Sequence, residues 1–249
     1  KEYRRQRQMC IRDSVRIGLA APLGFWGRRW CYTHPVNESE IQKENVHFTD
    51  QHLQLLEKVG VTRCKDTSLE VHPNPSLAGE ASGYLAEGTV IGHLSTSQPK
   101  KEWPVKFWKD LYSRAIESGV PMCFASGPSP REQQLLADLR EILPEAPILP
   151  EISGLGMYLA VLARARAFVS GDTGPLHFAA GLGVPTLGLF SATNAACWAP
   201  RGLIHRHLQG RACECSPHAA VCGIARGCMQ SLAPDTVWNE LQSLLALPQ

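Results

Sequence analysis

Between Thr89 and Phe190 short apolar runs alternate with stretches of helical length, and few folds accommodate that order. Thr89–His93, Pro121–Ala125, Pro147–Leu149, Ala167–Ser170 and Thr186–Phe190 read as strands. Trp103–Ser118, Pro130–Ile142, Leu155–Arg164 and Pro175–Leu182 read as the helices between them, and Asp235–Ala246 as a last helix. In the first of these, Val105, Trp108, Leu111, Tyr112 and Ala115 share one face, with Pro104 in the first turn and Gly119 at the end. Strands spaced by such helices imply βαβ units, a parallel sheet and right-handed crossovers. The fold class is α/β, and residues 87–249 suffice for one whole small α/β domain.

Upstream the pattern is thinner. Val15–Ala20 reads as a buried strand, and residues 21–47 as irregular. Thr49 reads as the N-cap of a helix from Asp50 to Val59, ended by Gly60, with Phe48 and Leu53 placed for a hydrophobic staple. Residues 61–86, with Pro73, Pro75 and few periodic apolar positions, read as a linker. Residues 15–86 are thus expected to be the end of a first domain plus its connection to the second.

Charge narrows the partners. The chain has a formal net charge of +2, and residues 1–14 alone hold five basic and two acidic residues. The remaining 235 residues therefore sum to −1, which gives no electrostatic footprint for nucleic acid. Residues 1–14 contain no apolar run of the kind a secretion signal needs, which leaves a basic targeting arm or, the plainer reading that we adopt, a non-native leader. No stretch approaches the ~20 apolar residues of a membrane span. The nine cysteines are an odd number, read as thiols of a reducing compartment rather than a disulfide framework.

Three strand-to-helix turns carry the chemistry, and in a parallel sheet all three open at the carboxyl edge. In Gly171-Asp172-Thr173-Gly174-Pro175, a helix start offers backbone N–H groups and a positive dipole end to an anion. Thr173 adds a hydroxyl, Gly174 permits close approach, and His177 lies one turn in; the plainer reading makes Asp172 a helix cap. The second turn, from His93 to Pro104, brings Thr96, Ser97 and Lys101, which suit a pyrophosphate whose charge must be neutralised as it departs. In the third, Ala125 to Glu132, the Glu132 carboxylate is placed either to accept two ribose hydroxyls or to complement the helix dipole. Cys213, Cys215, Cys222 and Cys228 offer four thiols within 16 residues to a zinc ion, although not in paired C-x-x-C spacing.

Together these residues resemble the heptosyltransferases of glycosyltransferase family 9. The resemblance rests on Thr96-Ser97, Lys101-x-Trp103-Pro104, the Gly127–Glu132 turn, Leu149-Pro150-Glu151-Ile152-Ser153 and Asp172-Thr173-Gly174-x-x-His177 followed by Ala-Ala-x-x-x-x-Pro-Thr. It implies a GT-B architecture of two Rossmann-like domains. It also implies an inverting transfer of heptose from ADP-heptose to the lipid A–Kdo or heptosylated core acceptor of lipopolysaccharide. No cofactor and no metal at the pyrophosphate would be required. Lys101 would stabilise the departing diphosphate, while Thr96, Ser97, Thr173 and Gly174 contact phosphates. Glu132 would hold the ribose, Ile152 would wall the adenine, and Asp172 and His177 would face donor sugar and phosphates. The general base would come from an amino-terminal segment outside this chain. The location implied is cytoplasmic, at the inner face of the inner membrane, with peripheral association.

Two other readings stay open at this level. One is a different GT-B nucleotide-sugar enzyme, such as another glycosyltransferase or an epimerase. The other is a non-catalytic α/β binding module whose cysteine-rich tail holds zinc.

Overall fold

A computed structural model describes residues 15–20, 32–37, 41, 45–64, 66–214 and 228–247. The chain divides into two compact units, residues 1–67 and 68–249.

In the first unit, β1 (Ile17–Ala20) and β2 (His34–Asn37) pair in parallel, with Ile17 opposite His34 and Ala20 opposite Asn37. Helix α1 (Phe48–Glu57) starts earlier than its sequence suggests. Its cap is His47, whose Nδ1 accepts the Thr49 N–H at 3.3 Å, so Thr49 is a first-turn residue and not the cap. Phe48 is drawn into the helix by an edge-on contact with His52, ring centroids 4.3 Å apart. It no longer precedes the cap, as a staple would require. Strand β2 lies within the segment read as irregular. Its sequence, His-Pro-Val-Asn, shows one buried apolar residue and a proline, too little for a periodic signal.

The second unit is a doubly wound α/β domain. Strands β3 (Val90–His93), β4 (Met122–Ala125), β5 (Ala167–Gly171), β6 (Thr186–Phe190) and β7 (His205–Gln209) form one parallel sheet in the order β4-β3-β5-β6-β7. The expected strand at Pro147–Leu149 reduces to a single parallel bridge, Phe124 to Ile148, outside β4. It is framed by Pro147 and Pro150, which have no N–H to extend a ladder. Counting that bridge, the chain steps outward from β3 through β4, then returns across β3 to build β5, β6 and β7 on its other side. That order is the Rossmann order, and its reversal point lies between β3 and β5.

Helices cover both faces, which explains why the strands are apolar on both. On one face α3 (Val105–Glu117), α4 (Pro130–Ile142) and α8 (Pro234–Leu245) pack against Val90, Phe124, Val169, Leu187 and Leu189. Trp108, Leu111 and Ala115 of α3 are fully buried there, the face its periodicity marks out. On the other face α5 (Leu155–Leu162) and α6 (Gly174–Gly181) pack against Ile91, Phe168 and Phe190. The segment read as a linker adds a 3₁₀ turn (Pro75–Leu77) and the short helix α2 (Ala78–Ala81). Ala81 and Leu85 are buried in this second core. A further short helix, α7 (Ala195–Trp198), precedes β7. Among the described residues no helix is long and apolar enough to cross a membrane.

Candidate functional site

The loops leaving β3 and β5 meet at the reversal point. Gly171, the last residue of β5, makes this possible: a Cβ there would lie 2.7 Å from the Lys101 carbonyl oxygen and 2.8 Å from Thr96 Cγ2. Only a hydrogen fits between the two loops. The Lys101 Nζ then donates to Asp172 Oδ2 at 2.7 Å, across 71 residues of sequence. Both side chains are largely enclosed, at 17% and 10% exposure. His177 Nε2 stands 3.9 Å from the other Asp172 oxygen. Burial alone would raise the Asp172 pKa, but the His177, Lys101 and Thr193 side chains outweigh it and hold the carboxyl down at about 2. The site therefore carries a fixed Asp172 carboxylate with an enclosed ammonium against it.

Asp172 is not the cap of α6. The N-cap is Thr173, in extended conformation, and no side chain closes that helix end. Gly174 is the first helical residue and Pro175 the second. A Cβ on Gly174 would meet no atom within 4 Å, so this helix start opens onto free space.

The 93–104 loop is built as a scaffold for Lys101. Trp103 is buried at 2% exposure and donates its indole N–H to the Leu232 carbonyl at 2.9 Å. Its ring meets Trp108 edge-on, 5.0 Å between centroids. Thr96 is buried, and its hydroxyl donates to the Gln98 carbonyl at 2.7 Å while accepting the Gln98 N–H. That hydroxyl shapes the loop. Ser97 is exposed. Glu102 accepts the Thr96 N–H at 3.1 Å and pairs with Arg131, which also donates to the Thr96 carbonyl at 2.5 Å. Arg131 thus ties this loop to the start of α4.

Beside the Lys101–Asp172 pair lies a cleft of about 780 Å³. Glu132, Ile152, Tyr158, Thr173 and Pro175 line it, with His93 at its floor. Three of the residues singled out from sequence, Glu132, Ile152 and Thr173, share this cleft, and Asp172 adjoins it through Thr173. Glu132 closes a capping box with Ser129, whose N–H and hydroxyl both donate to Oε2, at 3.2 and 2.5 Å. Burial opposes its ionisation, but the hydrogen bonds from Ser129 and Ser95 and the Arg131 charge prevail and keep its pKa low. A carboxylate accepts about four hydrogen bonds, so the cap leaves capacity for a ligand. Gly127 gives Glu132 its room, since a Cβ there would lie 2.2 Å from Oε1.

Sequence reasoning passed over His93 and Ser95. His93 is 3% exposed at the end of β3, and burial, offset in part by the Glu132 charge, lowers its pKa to about 4. It is therefore neutral at physiological pH. Its strand position gives the only signal: a polar ring in a run otherwise apolar on both faces. A second concavity, of about 890 Å³, lies at the amino ends of β5 and β6 with Arg164, Arg166 and Pro185 in its walls. That edge is opposite the one where open α/β sheets take ligands, and none of the residues above reaches it.

Of the four tail thiols, Cys215 and Cys222 lie outside the described residues. Cys228 is buried, with Ser191 Oγ donating to its sulfur at 3.3 Å, and Cys213 is partly exposed. Among the described residues no group of three or more His, Cys, Asp or Glu side chains is placed to hold a metal ion.

A doubly wound sheet with an anion-ready helix start and a charged pair at its reversal point defines a Rossmann-like domain, a class that takes phosphate-bearing ligands at this edge. The family model of glycosyltransferase family 9 (heptosyltransferase) matches residues 16–222, and the chain belongs to that family. Lipopolysaccharide heptosyltransferase 1 of Pseudomonas aeruginosa is 39% identical over 122 residues, covering 49% of this chain and 34% of that protein. Among solved structures, a family 9 glycosyl transferase from Veillonella parvula superposes with a TM-score of 0.73 at 18% identity, over 86% of this chain and 63% of that one. The Escherichia coli heptosyltransferase WaaC with ADP gives 0.60 at 19% identity, over 86% and 61%. The fold is thus that of the GT-B enzymes of family 9. The match spans about a third of the length of the Pseudomonas relative.

Proposed function

We propose that this chain forms the donor-binding part of an inverting heptosyltransferase. It takes ADP-heptose, and heptose passes to the lipid A–Kdo or heptosylated inner core of lipopolysaccharide. One observation carries the reading: Lys101 and Asp172 meet at the sheet's reversal point, beside a cleft that also holds Glu132 and Ile152. A nucleoside diphosphate fits that layout. The adenine lies along Ile152, the ribose hydroxyls reach Glu132, and the diphosphate lies across Thr173, Gly174 and Lys101.

In a single displacement the acceptor oxygen bonds to the anomeric carbon as the carbon–oxygen bond to the diphosphate breaks. Negative charge grows on the leaving oxygen, and positive groups placed there beforehand lower the barrier. Lys101 is such a group. Asp172 holds its ammonium ready, and the open start of α6 adds N–H donors on the same side. The residues of this cleft supply the leaving-group half of the reaction. The Pseudomonas and Escherichia coli relatives are named as heptosyltransferases, and the latter's structure contains ADP. The same reading puts the chain on the cytoplasmic side of the inner membrane, as a peripheral protein meeting a lipid-anchored acceptor.

Lys101→Ala tests this directly. A hydrogen bond to a charged group contributes about 1.5–3 kcal/mol, so ADP affinity should fall by roughly 10- to 100-fold. Adenosine affinity should hardly change. Equal loss of both would remove Lys101 from the diphosphate.

A further inference from the structure

The floor of the cleft holds a buried polar relay that the leaving-group chemistry does not use. His93 ends β3, the central strand of the reversal point, and its ring stacks on Phe168 with centroids 5.9 Å apart. His93 Nε2 lies 3.2 Å from the hydroxyl oxygen of Ser95, which is fully buried. That same oxygen accepts the Gly127 N–H at 2.8 Å, at the start of the turn that carries Glu132, and the Ser95 side chain is among the groups that hold the Glu132 pKa down. His93 Nδ1 is buried without a hydrogen-bond partner among the described residues.

Counting protons sets the direction of this relay. Ser95 has one hydroxyl proton and two claimants for it, His93 and Glu132. With the imidazole proton on Nε2, His93 donates to the Ser95 oxygen, and the Ser95 proton is free for the Glu132 carboxylate. With that proton on Nδ1, Nε2 takes the Ser95 proton and Glu132 loses its donor. The first arrangement satisfies the charged group and leaves a neutral acceptor bare, the less costly vacancy. A leucine at this position would fill similar space with no bare acceptor. Its direct strand partners are Ala125 on β4 and Ser170 on β5, both buried, and Ile91 and Phe168 nearby are apolar and buried; the Ser170 hydroxyl donates to the Gly171 carbonyl and not to His93.

We infer that His93 is a positioning residue for the nucleotide: through Ser95 it fixes the Gly127–Glu132 turn and aims the Glu132 carboxylate at the ribose hydroxyls. The inference rests on the reading of Glu132 as the ribose acceptor. It adds that ribose recognition depends on a side chain the ligand does not touch.

Titration calorimetry of the full chain with ADP and 2′-deoxy-ADP tests it. Wild type should prefer ADP by about tenfold, the worth of one hydrogen bond to a charged group. His93→Leu should flatten that preference to near unity while keeping the preference for ADP over AMP, which a general loss of packing would not spare. His93→Gln, which restores an amide donor toward Ser95, should recover most of the ribose preference. Should His93→Leu fail to fold, Ser95→Ala decides in its place, with the same flattening expected. An undiminished ADP to 2′-deoxy-ADP ratio in the folded variant overturns the inference. Glu132→Gln separates the two layers. If it abolishes the preference and His93→Leu does not, the ribose reading stands and only the relay falls. If wild type shows no preference at all, the ribose reading falls and takes the relay with it.

Discussion

Asp172 stays ionised in a place where burial alone would favour its neutral form. That makes it a test of the site at the level of one residue. Its folded pKa of about 2 lies below the ordinary value of 3.8, so the native state holds fewer protons than the unfolded chain across that interval. The stability it contributes, roughly 2 kcal/mol, is complete above the ordinary value and disappears as pH falls through the folded one. Urea unfolding of wild type and Asp172→Asn should therefore differ by about that amount near neutral pH and converge as the pH approaches about 2. A gap that stays constant over that range contradicts the pairing with Lys101. At this scale the sequence singles out residues that the structure brings together and is silent about how they meet. Asp172 and Lys101 stand out because each sits in a strand-to-helix turn. Their 2.7 Å contact depends on Gly171 letting two loops close, which spacing does not reveal. His93 escaped notice because one histidine at the end of an apolar run reads as core. Thr96 went the other way: its hydroxyl looks free in sequence and is spent on the Gln98 backbone.

Among the elements, the loop from β3 to α3 owes its shape to Trp103. The side chain is buried, hydrogen-bonded to Leu232 and stacked edge-on to Trp108, so the Lys-x-Trp-Pro sequence is an anchor followed by a helix start. Trp103→Ala should cost about 3–5 kcal/mol in urea unfolding, as for other large aromatic truncations in a core. Trp103→Phe should cost about 1–2 kcal/mol, chiefly by orphaning the Leu232 carbonyl. A loss below about 1 kcal/mol for the alanine variant would show that the loop stands without its anchor. The elements easiest to read were those buried on both sides. Strands β3 to β6 are mostly apolar and buried throughout, and helix α4 begins at its proline and ends at its last apolar residue. Strand β7 was missed because it is an edge strand, half exposed, with the sequence His-Arg-His-Leu-Gln. Its partner β6 makes it a strand; its own residues do not.

For the molecule as a whole, the decisive property is the strand order. A chain that steps outward from β3 and then returns across it must leave a gap between the loops after β3 and β5. Lys101 and Asp172 meet at that gap, and Glu132, Ile152 and Thr173 line the cleft beside it. Right-handed crossovers and helices on both faces follow from the strand-helix alternation, so the sheet's class was legible. The position of β7 and the reduction of the 147–149 strand to one bridge were not, because pairing partners set them. The larger concavity at the other end of the strands has more volume and no convergent chemistry. On this reading the cleft at the reversal point takes an adenosine diphosphate. Calorimetry of the purified chain with ADP, UDP and GDP measures it most directly. One ADP site per chain is expected, with UDP and GDP bound at least tenfold more weakly, about 1.4 kcal/mol. A well-folded sample that binds no ADP, or that binds all three alike, would contradict it.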